Sequence, residues 1–324
     1  MSDSNSQNSP DSRHSRKWLI PLVLLTATGT LLGISTNLAK LASKSGLDPL
    51  AFLAWSVIGA AVVLLSVSTV RGRLPTVNAR TAEYFVVAGL FSVAMPNLLF
   101  FAAVPSIGAG FVALAIAFPP LFTYLGALVL GLESFEVRRA FGVALALGGA
   151  VWLAVLKLSD PDVELFWVMA VLLGSVFLAV GNIYRTARWP EGASPDELAP
   201  GMLAVSGLLL LVFAALTLAV PDQLQGFSLH VPMDRPGPAL LILAQIATFS
   251  VQYLLFFVLQ KRGGPVYLSL LGSVGAVVGI PIAVLLLGES VPEGLAVGGT
   301  LIALGIGFLT SGIQEKTQKQ RQKA

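Results

Sequence analysis

The stretch Gly29–Ala42, GTLLGISTNLAKLA, returns later in the chain as Gly174–Ala187, GSVFLAVGNIYRTA. Both copies open on glycine, carry an asparagine (Asn37 and Asn182) and place a cation three residues after it. One pair of loosely matching segments carries little weight alone. Its value depends on whether the rest of the chain repeats in the same order.

The composition is typical of a protein that lies in a membrane. Of the 324 residues, 55% are hydrophobic and 11% are charged, whereas soluble domains carry about 25% charged residues. The chain has no cysteine, which excludes disulfides and cysteine-based metal or redox sites. Its two histidines, His14 and His230, lie in polar stretches and argue against a buried histidine centre. The net charge of +3 is too small to indicate a nucleic-acid partner. We therefore expect a lipid bilayer as the partner and no cofactor.

Charge-free runs long enough to cross a bilayer follow one another along the chain. A spanning helix needs about 20 apolar residues. The runs are Trp18–Ala39, Pro49–Val70, Tyr84–Leu132, Ala140–Leu156, Leu165–Tyr184, Leu198–Pro221, Pro236–Gln260, Gly263–Gly288 and Gly294–Gln314. The third run is long enough for two helices and divides at Val104–Gly110, VPSIGAG, where Pro105 and the glycines favour a turn. The sequence therefore predicts an all-α integral membrane protein of ten transmembrane helices.

The ends of the chain differ from this apolar body. Residues 1–17 are rich in Ser and Asn, and we expect them to form a disordered cytoplasmic tail. A cleaved signal peptide is the alternative, but the apolar run after Lys17 is too long for one and is echoed inside the chain. Residues 18–312 are expected to form a single transmembrane transporter domain, and residues 313–324 a basic cytoplasmic tail.

Lysine and arginine collect in alternate connections, as the positive-inside rule requires. With the N-terminus in the cytoplasm, sixteen of the twenty basic residues fall on the inner side. The outer segments keep only Lys40, Lys44, Lys157 and Arg235. We therefore expect a multi-pass protein with both termini in the cytoplasm. As a separate expectation, the membrane is a bacterial inner (plasma) membrane.

Three further matches follow the opening pair in the same order. They are Leu98–Phe101 with Leu254–Phe257 (both LLFF), Glu133 with Glu289 (in GLES and GES), and Gly142, Leu145 and Gly149 with Gly298, Leu301 and Gly305. We predict a duplication, with repeat one at about 18–157 and repeat two at about 164–312. Because five helices is an odd number, the second copy lies inverted relative to the first. Inverted repeats support alternating access to a central site; the alternative is a duplication retained without any transport role.

At this point the chain resembles the drug/metabolite transporter superfamily, specifically its EamA-type members, from Trp18 to Ser311. The resemblance rests on the first-helix pattern ending in Lys40, the stretch Ala113–Glu133, the Gly288–Glu289 helix end and the glycine-patterned fifth and tenth helices. The chain departs from the pattern at Leu32, Trp55, Leu132 and Gly275. These departures make a substrate unsafe to carry over from a relative. The resemblance implies a secondary transporter of small metabolites, often an exporter.

Uncharged polar residues inside the predicted helices indicate where a substrate binds, because each needs a partner or water. Spacings of three and four align Gln245, Thr248 and Gln252 on one helix face, with Tyr253 beside them. The residues predicted to bind substrate are Gln245, Thr248, Gln252, Tyr253, Asn97, Ser92, Thr30 and Thr123. The alternative for each is a hydrogen bond between helices, which contributes about 0.6 kcal/mol on average in membranes.

A second set is predicted to act in gating. It consists of Asn37, Asn182, Lys40, Pro119 and Pro120. The two asparagines occupy corresponding positions near opposite membrane faces. Lys40 either contacts a substrate carboxylate, gates the outer mouth or extends to the lipid headgroups. The prolines free backbone carbonyls and bend a helix, either as part of gating or as static kinks.

The predicted spans contain no acidic residue at depth, which bears on the transport mechanism. A proton-driven cation pump usually needs an embedded carboxylate, and a nucleotide-sugar carrier needs buried cations for its phosphates. We therefore expect facilitated diffusion or exchange of a small neutral or zwitterionic metabolite, amino-acid-like or aromatic, by a monomer. The alternatives are a nucleotide-sugar or phosphorylated-metabolite exchanger, a polytopic enzyme acting on a lipid-linked substrate, or a membrane scaffold.

Overall fold

The computed structural model describes residues 11–129, 135–158, 164–219, 227–291 and 294–308. Within these ranges the regular elements are helices, joined by turns. They are α1 Asp11–Lys44, α2 Pro49–Val70, α3 Ala79–Gly89, a π-helical segment Leu90–Ala94, α4 Met95–Ile107, α5 Ala109–Ala115, α6 Pro119–Val129, α7 Val137–Leu158, α8 Leu165–Ala187, α9 Pro195–Ala219, α10 Pro236–Ser269, α11 Leu271–Leu285 and α12 Leu295–Phe308.

Seven segments of the described chain are long and apolar enough to cross a membrane. They are Ile20–Lys44, Pro49–Val70, Ala79–Ile107, Ala109–Gly126, Leu165–Ala187, Pro195–Thr217 and Pro236–Arg262. Two shorter apolar helices, α11 and α12, follow them. The predicted class, an all-α multi-pass membrane protein, is confirmed in the described residues, whereas the count of ten spans and the two repeats stay predictions. α1 begins at Asp11, inside the expected tail, and residues 313–324 and Glu133 lie outside the described residues.

Local sequence explains where the second and third helices begin. The Asp48 side chain accepts a hydrogen bond from the Leu50 N–H at 2.7 Å, and Pro49 starts the helix where no N–H is needed. Asn78 and Thr81 form a reciprocal capping box at the start of α3. Both devices satisfy N–H groups that a helix leaves unpaired at its first turn.

Two spans are interrupted by proline. The π-helical segment Leu90–Ala94 comes directly before Pro96, whose missing N–H and bulky ring disturb the regular ladder. The span Ala109–Gly126 breaks between α5 and α6, and Pro119 and Pro120 start α6. Ser175 of α8 donates to the Ala115 carbonyl at 2.8 Å at this break. The Ala115 carbonyl also accepts from the Phe118 N–H at 3.0 Å, so the hydroxyl is its second donor at the break.

Helices from the first half of the chain pack against helices from the second half. α1 lies against both α10 and α11, and α2 lies against α9. The contact between α1 and α11 is made by glycines: a Cβ on Gly33 would lie 2.6 Å from the Gly275 carbonyl oxygen and 2.8 Å from the Gly279 nitrogen. The two backbones therefore touch directly, as small residues allow in membrane helices.

Candidate functional site

One end of the helix bundle is closed by an ion pair that is largely shielded from solvent; we call it the Lys40 end. The Lys40 ammonium lies 3.2 Å from Glu289, and the two side chains are 16% and 14% exposed. The same carboxylate accepts the backbone N–H groups of Ala109, at 2.9 Å, and Gly110, at 3.0 Å. Glu289 thus links the end of α1 to the start of α5. These three partners and the carboxylate form a charge-assisted network, which is stronger than neutral hydrogen bonds.

These neighbours also set the ionisation of Glu289. Burial would raise the pKa of its carboxyl, but the N–H groups of Ala109 and Gly110 and the charge of Lys40 together lower that pKa below its ordinary value of 4.5. The carboxylate is therefore ionised at neutral pH, and the ion pair is complete.

Two further contacts join α1 to α11 and to the residues that follow α11. The Asn37 side-chain NH₂ donates to the Gly33 carbonyl at 2.8 Å and, across to α11, to the Gly279 carbonyl at 3.0 Å. The Lys44 ammonium donates to the Leu287 carbonyl at 3.0 Å. Asn37 and Lys40, both predicted to act in gating, thus lie in contacts between the two halves of the chain, and Lys40 has Glu289 as its partner.

The polar face predicted on α10 lies inside the protein. Gln245 is fully buried and donates to the Ser35 hydroxyl of α1. Gln252 is 5% exposed, and the side-chain carbonyls of both glutamines accept no hydrogen bond. Buried amide oxygens without a donor are uncommon. These oxygens remain open to a donor that the folded chain does not supply.

Tyr253 connects this face to α4. Its hydroxyl accepts a hydrogen bond from the Asn97 side-chain NH₂ at 3.1 Å, and Asn97 also donates to the Val93 carbonyl at 2.7 Å. The Tyr253 ring packs edge-on against Phe249, one turn earlier. The structure thus brings together two of the predicted residues from different helices.

The remaining predicted residues are less closely associated. Thr248 donates to the Ala244 carbonyl of its own helix. Ser92 is buried in the π-helical segment with its hydroxyl unpaired and faces Gly181 of α8. Thr30 and Thr123 are half-buried on α1 and α6, respectively. These four side chains make no direct hydrogen bond to Gln245 or Tyr253.

The opposite end of the bundle, which we call the Arg188 end, is held by exposed pairs. Arg188 lies 3.3 Å from Glu83, with side chains 61% and 49% exposed. A cavity of about 340 Å³ lies at this end, lined by Thr186, Trp189, Gln260 and Lys261. Exposed ion pairs contribute about 0–1 kcal/mol, so this end is held less firmly than the Lys40 end.

Arg185 is a buried cation that the sequence analysis did not select. It is 0% exposed, with its guanidinium carbon 4.2 Å from the Phe256 ring centroid. Its Nη2 donates to the Asn182 side-chain oxygen at 2.7 Å, which gives Asn182 a role in orienting the cation. The signal was present in the repeat, since Arg185 corresponds to Lys40. The position of Arg185 at the end of an apolar run predicts, by itself, only a basic residue at the inner membrane face.

The described residues contain no group of three or more His, Asp or Glu side chains able to hold a metal ion. The polar side chains described above include the carboxamides and hydroxyls of α4 and α10 and the cation of α8. Such groups bind small organic molecules by hydrogen bonds and charge.

Comparisons with known proteins agree with this architecture. Residues 19–155 match the EamA-like transporter family. Two WAT1-related proteins of Arabidopsis thaliana are 22% identical over 315 residues and 24% identical over 318 residues. The alignments cover 90% and 87% of this chain and 88% and 86% of the relatives. A solved crystal structure with 16% sequence identity aligns with a TM-score of 0.59 over 88% of this chain and 95% of its own, which indicates a shared fold. The resemblance to the EamA-type members of the drug/metabolite transporter superfamily is therefore confirmed, with the family match on residues 19–155 of this multi-pass membrane protein.

Proposed function

We propose that this protein is a secondary transporter of small neutral or zwitterionic metabolites, amino-acid-like or aromatic, and that it exports them. Transport proceeds by alternating access between two inverted repeats of five helices each. Substrate binds between the halves, and each end of the bundle opens in turn.

The observation that carries this proposal is the unequal closure of the two ends. At the Lys40 end, a shielded network joins α1 of the first half to Glu289 of the second. At the Arg188 end, the pairs between the halves are exposed and a cavity of about 340 Å³ is present. One firmly closed end and one weakly held end are what a single state of an alternating-access cycle requires.

The interior face of α10 supports a binding site between the halves. Gln245 contacts α1 and Tyr253 contacts α4, so this one helix reaches two helices of the first half. Unpaired amide oxygens at Gln245 and Gln252 suit the ammonium or N–H groups of an amino-acid-like molecule. Because α10, in the second half of the chain, meets the first half through polar groups, it provides a binding site for both the outward-open and the inward-open state.

The test is counterflow in proteoliposomes with an amino-acid panel and other small metabolites. Uptake of at least one compound against an internal excess of the same compound is expected. The double variant Asn37→Ala, Gln245→Ala removes one contact with α11 and one with α1 and is expected to reduce that uptake. Absence of counterflow for the whole panel with a correctly folded protein would contradict the proposal. Unchanged uptake by a stable double variant would show that Asn37 and Gln245 have no part in transport.

A further inference from the structure

Arg185 carries a positive charge inside the protein without a carboxylate partner among the described residues. Its Nε donates weakly to the Gly181 carbonyl at 3.4 Å, its Nη2 donates to Asn182, and its Nη1 makes no hydrogen bond. The other shielded cations of the described chain are paired: Lys40 with Glu289, and Arg139 with Glu136 at 3.4 Å. Arg185 is therefore the exception.

An unpaired buried charge is expensive. Removing a guanidinium from water costs several kcal/mol unless an opposite charge and further hydrogen bonds compensate. Neither a carbonyl nor a carboxamide supplies a negative charge. A cation retained at such a place is explained when a second component of the functioning protein brings the counter-charge.

The surroundings of Arg185 are aromatic. Phe256 lies against the guanidinium at 4.2 Å, and Phe257 is 5.6 Å away. The Tyr84 hydroxyl is buried and has no hydrogen-bond partner. The Phe256 ring covers one face of the guanidinium, while Nη1 on its edge is buried without a hydrogen-bond acceptor. A planar anion would supply that acceptor.

We propose that Arg185 binds the carboxylate of the transported substrate, which is therefore an amino acid or another organic monoacid with an apolar or aromatic body. This inference rests on the proposed transport function and narrows its substrate class. Asn182 is a positioning residue, because it holds Nη2 and so fixes the direction in which the guanidinium edge points.

The charge balance favours a carboxylate over a phosphate. A single guanidinium neutralises one negative charge, and it pairs with the two oxygens of a carboxylate in a parallel arrangement. A phosphate monoester carries up to two negative charges and needs further cations at the same place. Lys261, at the Arg188 end, is directed instead to the Ala193 carbonyl at 3.3 Å.

The cavity at the Arg188 end lies next to this region. It is lined by Thr186, the residue after Arg185, and by Gln260, which follows Phe256 by one helical turn on α10. Gln260 donates to the Thr186 hydroxyl at 3.4 Å. Because Arg185 is fully buried and does not line the cavity, a ligand that enters here reaches the guanidinium only after these side chains move aside.

The test compares acids with the corresponding amides, which lack the carboxylate, on the purified, detergent-solubilised full chain. The probes are phenylacetate and L-phenylalanine, with phenylacetamide and L-phenylalaninamide as matched controls, and inorganic phosphate as a second anion. Calorimetric binding and ligand-induced shifts in Tm are measured for the wild type, Arg185→Gln and Arg185→Lys. Arg188→Gln, which alters an exposed arginine on the same helix, is the control variant.

We expect the wild type and Arg188→Gln to bind the acids and not the amides. Arg185→Gln weakens binding of the acids about 30-fold or more, the expected effect of truncating one partner of a buried charge pair. Arg185→Lys keeps the charge but lacks the planar guanidinium, so its affinity for the acids is expected to lie between those of the wild type and Arg185→Gln. Equal binding of acid and amide by the wild type, unchanged acid binding by Arg185→Gln, or tighter binding of phosphate than of both acids would overturn the proposal.

A stability measurement separates binding from a structural role. Arg185→Met removes the unpaired charge and keeps an apolar chain of similar length, so its Tm without ligand is expected to be no lower than that of the wild type, while the acid-induced shift disappears. A lower Tm together with a retained shift would overturn the proposal. Counterflow distinguishes the two proposals. If amides are transported as fast as acids, only the carboxylate assignment is overturned. If Arg185→Gln loses acid binding but the wild type shows no counterflow, only the transport function is overturned.

Discussion

The ammonium of Lys40 lies 3.2 Å from the carboxylate of Glu289, although the two residues are separated by most of the chain. The carboxylate also accepts two backbone N–H groups at the start of α5. This pair therefore ties the first half of the protein to the second at one end of the bundle. Its strength lies between that of an exposed pair, about 0–1 kcal/mol, and that of a buried pair whose disruption costs about 3–5 kcal/mol.

The substitution Glu289→Gln should loosen the Lys40 end. It removes the negative charge that holds the N–H groups of Ala109 and Gly110, so we expect about tenfold faster amide hydrogen exchange at the start of α5, which corresponds to about 1.4 kcal/mol. Exchange is measured by mass spectrometry on peptides covering this region. Asp196→Asn, which disturbs the exposed pairs with Arg71 and Arg73, is the control. Equal exchange in the two variants would show that Glu289 does not hold this end.

The ion pair should contribute to stability at neutral pH and fail only in acid. The folded protein lowers the pKa of Glu289 below its ordinary value of 4.5, so its stabilising contribution is fully present above that value and is lost as pH falls through the lowered pKa. The difference in Tm between the wild type and Glu289→Gln should stay constant from about pH 6 to 8. The same difference should shrink below about pH 4.5. A difference that shrinks between pH 8 and 6 would contradict the assignment.

Gly33→Ala should destabilise the contact between α1 and α11. The added methyl group meets backbone atoms at 2.6 Å and 2.8 Å, and backbone cannot move aside as a flexible side chain can. We expect a loss of about 1–3 kcal/mol, the usual cost of overpacking, seen as a lower Tm in detergent. Gly148→Ala is the control, because nothing lies within 4 Å of a Cβ at that position of α7. If Gly33→Ala had the same Tm as the control, the close contact between α1 and α11 would not contribute to stability.

Single cysteines can test the orientation in the membrane, since the chain contains no native cysteine. Val77, between α2 and α3, is 81% exposed, and Met233, before α10, is 77% exposed. With both termini in the cytoplasm, a membrane-impermeant maleimide should label Met233→Cys on intact cells and Val77→Cys only after permeabilisation. The reverse pattern would invert the predicted topology.

The parts of the site that follow from one helix were predictable from the sequence. Spacings of three and four residues put Gln245, Thr248 and Gln252 on one side of α10, and the structure buries all three. Helix geometry alone fixes this relation. On α1, spacings of four, three and four residues likewise place Thr26 on the face of Asn37, but Thr26 is exposed and donates to the Leu22 carbonyl of its own helix. Periodicity states which residues share a face and not what covers that face.

The contacts between distant segments were not predictable in this way. Glu289 was recognised as a helix end, yet its partners at Ala109 and Gly110 depend on how α11 ends beside α5. The position of Arg185 near the end of its apolar run predicts a basic residue at the inner membrane face. Its burial comes from α10, whose Phe256 covers the guanidinium. Such burial depends on three-dimensional packing, for which one sequence carries no periodic signal.

The glycine contact between α1 and α11 also restricts how the protein can move. At Gly33 and Gly279 no side chain separates the two backbones, and Asn37 spans the same junction with hydrogen bonds to both. Rotation of either helix about its own axis would drive a neighbouring side chain into the other backbone. We therefore expect the two helices to move as one unit. Gly46 and Gly288, which follow the ends of α1 and α11, adopt positive φ angles that glycine tolerates without strain.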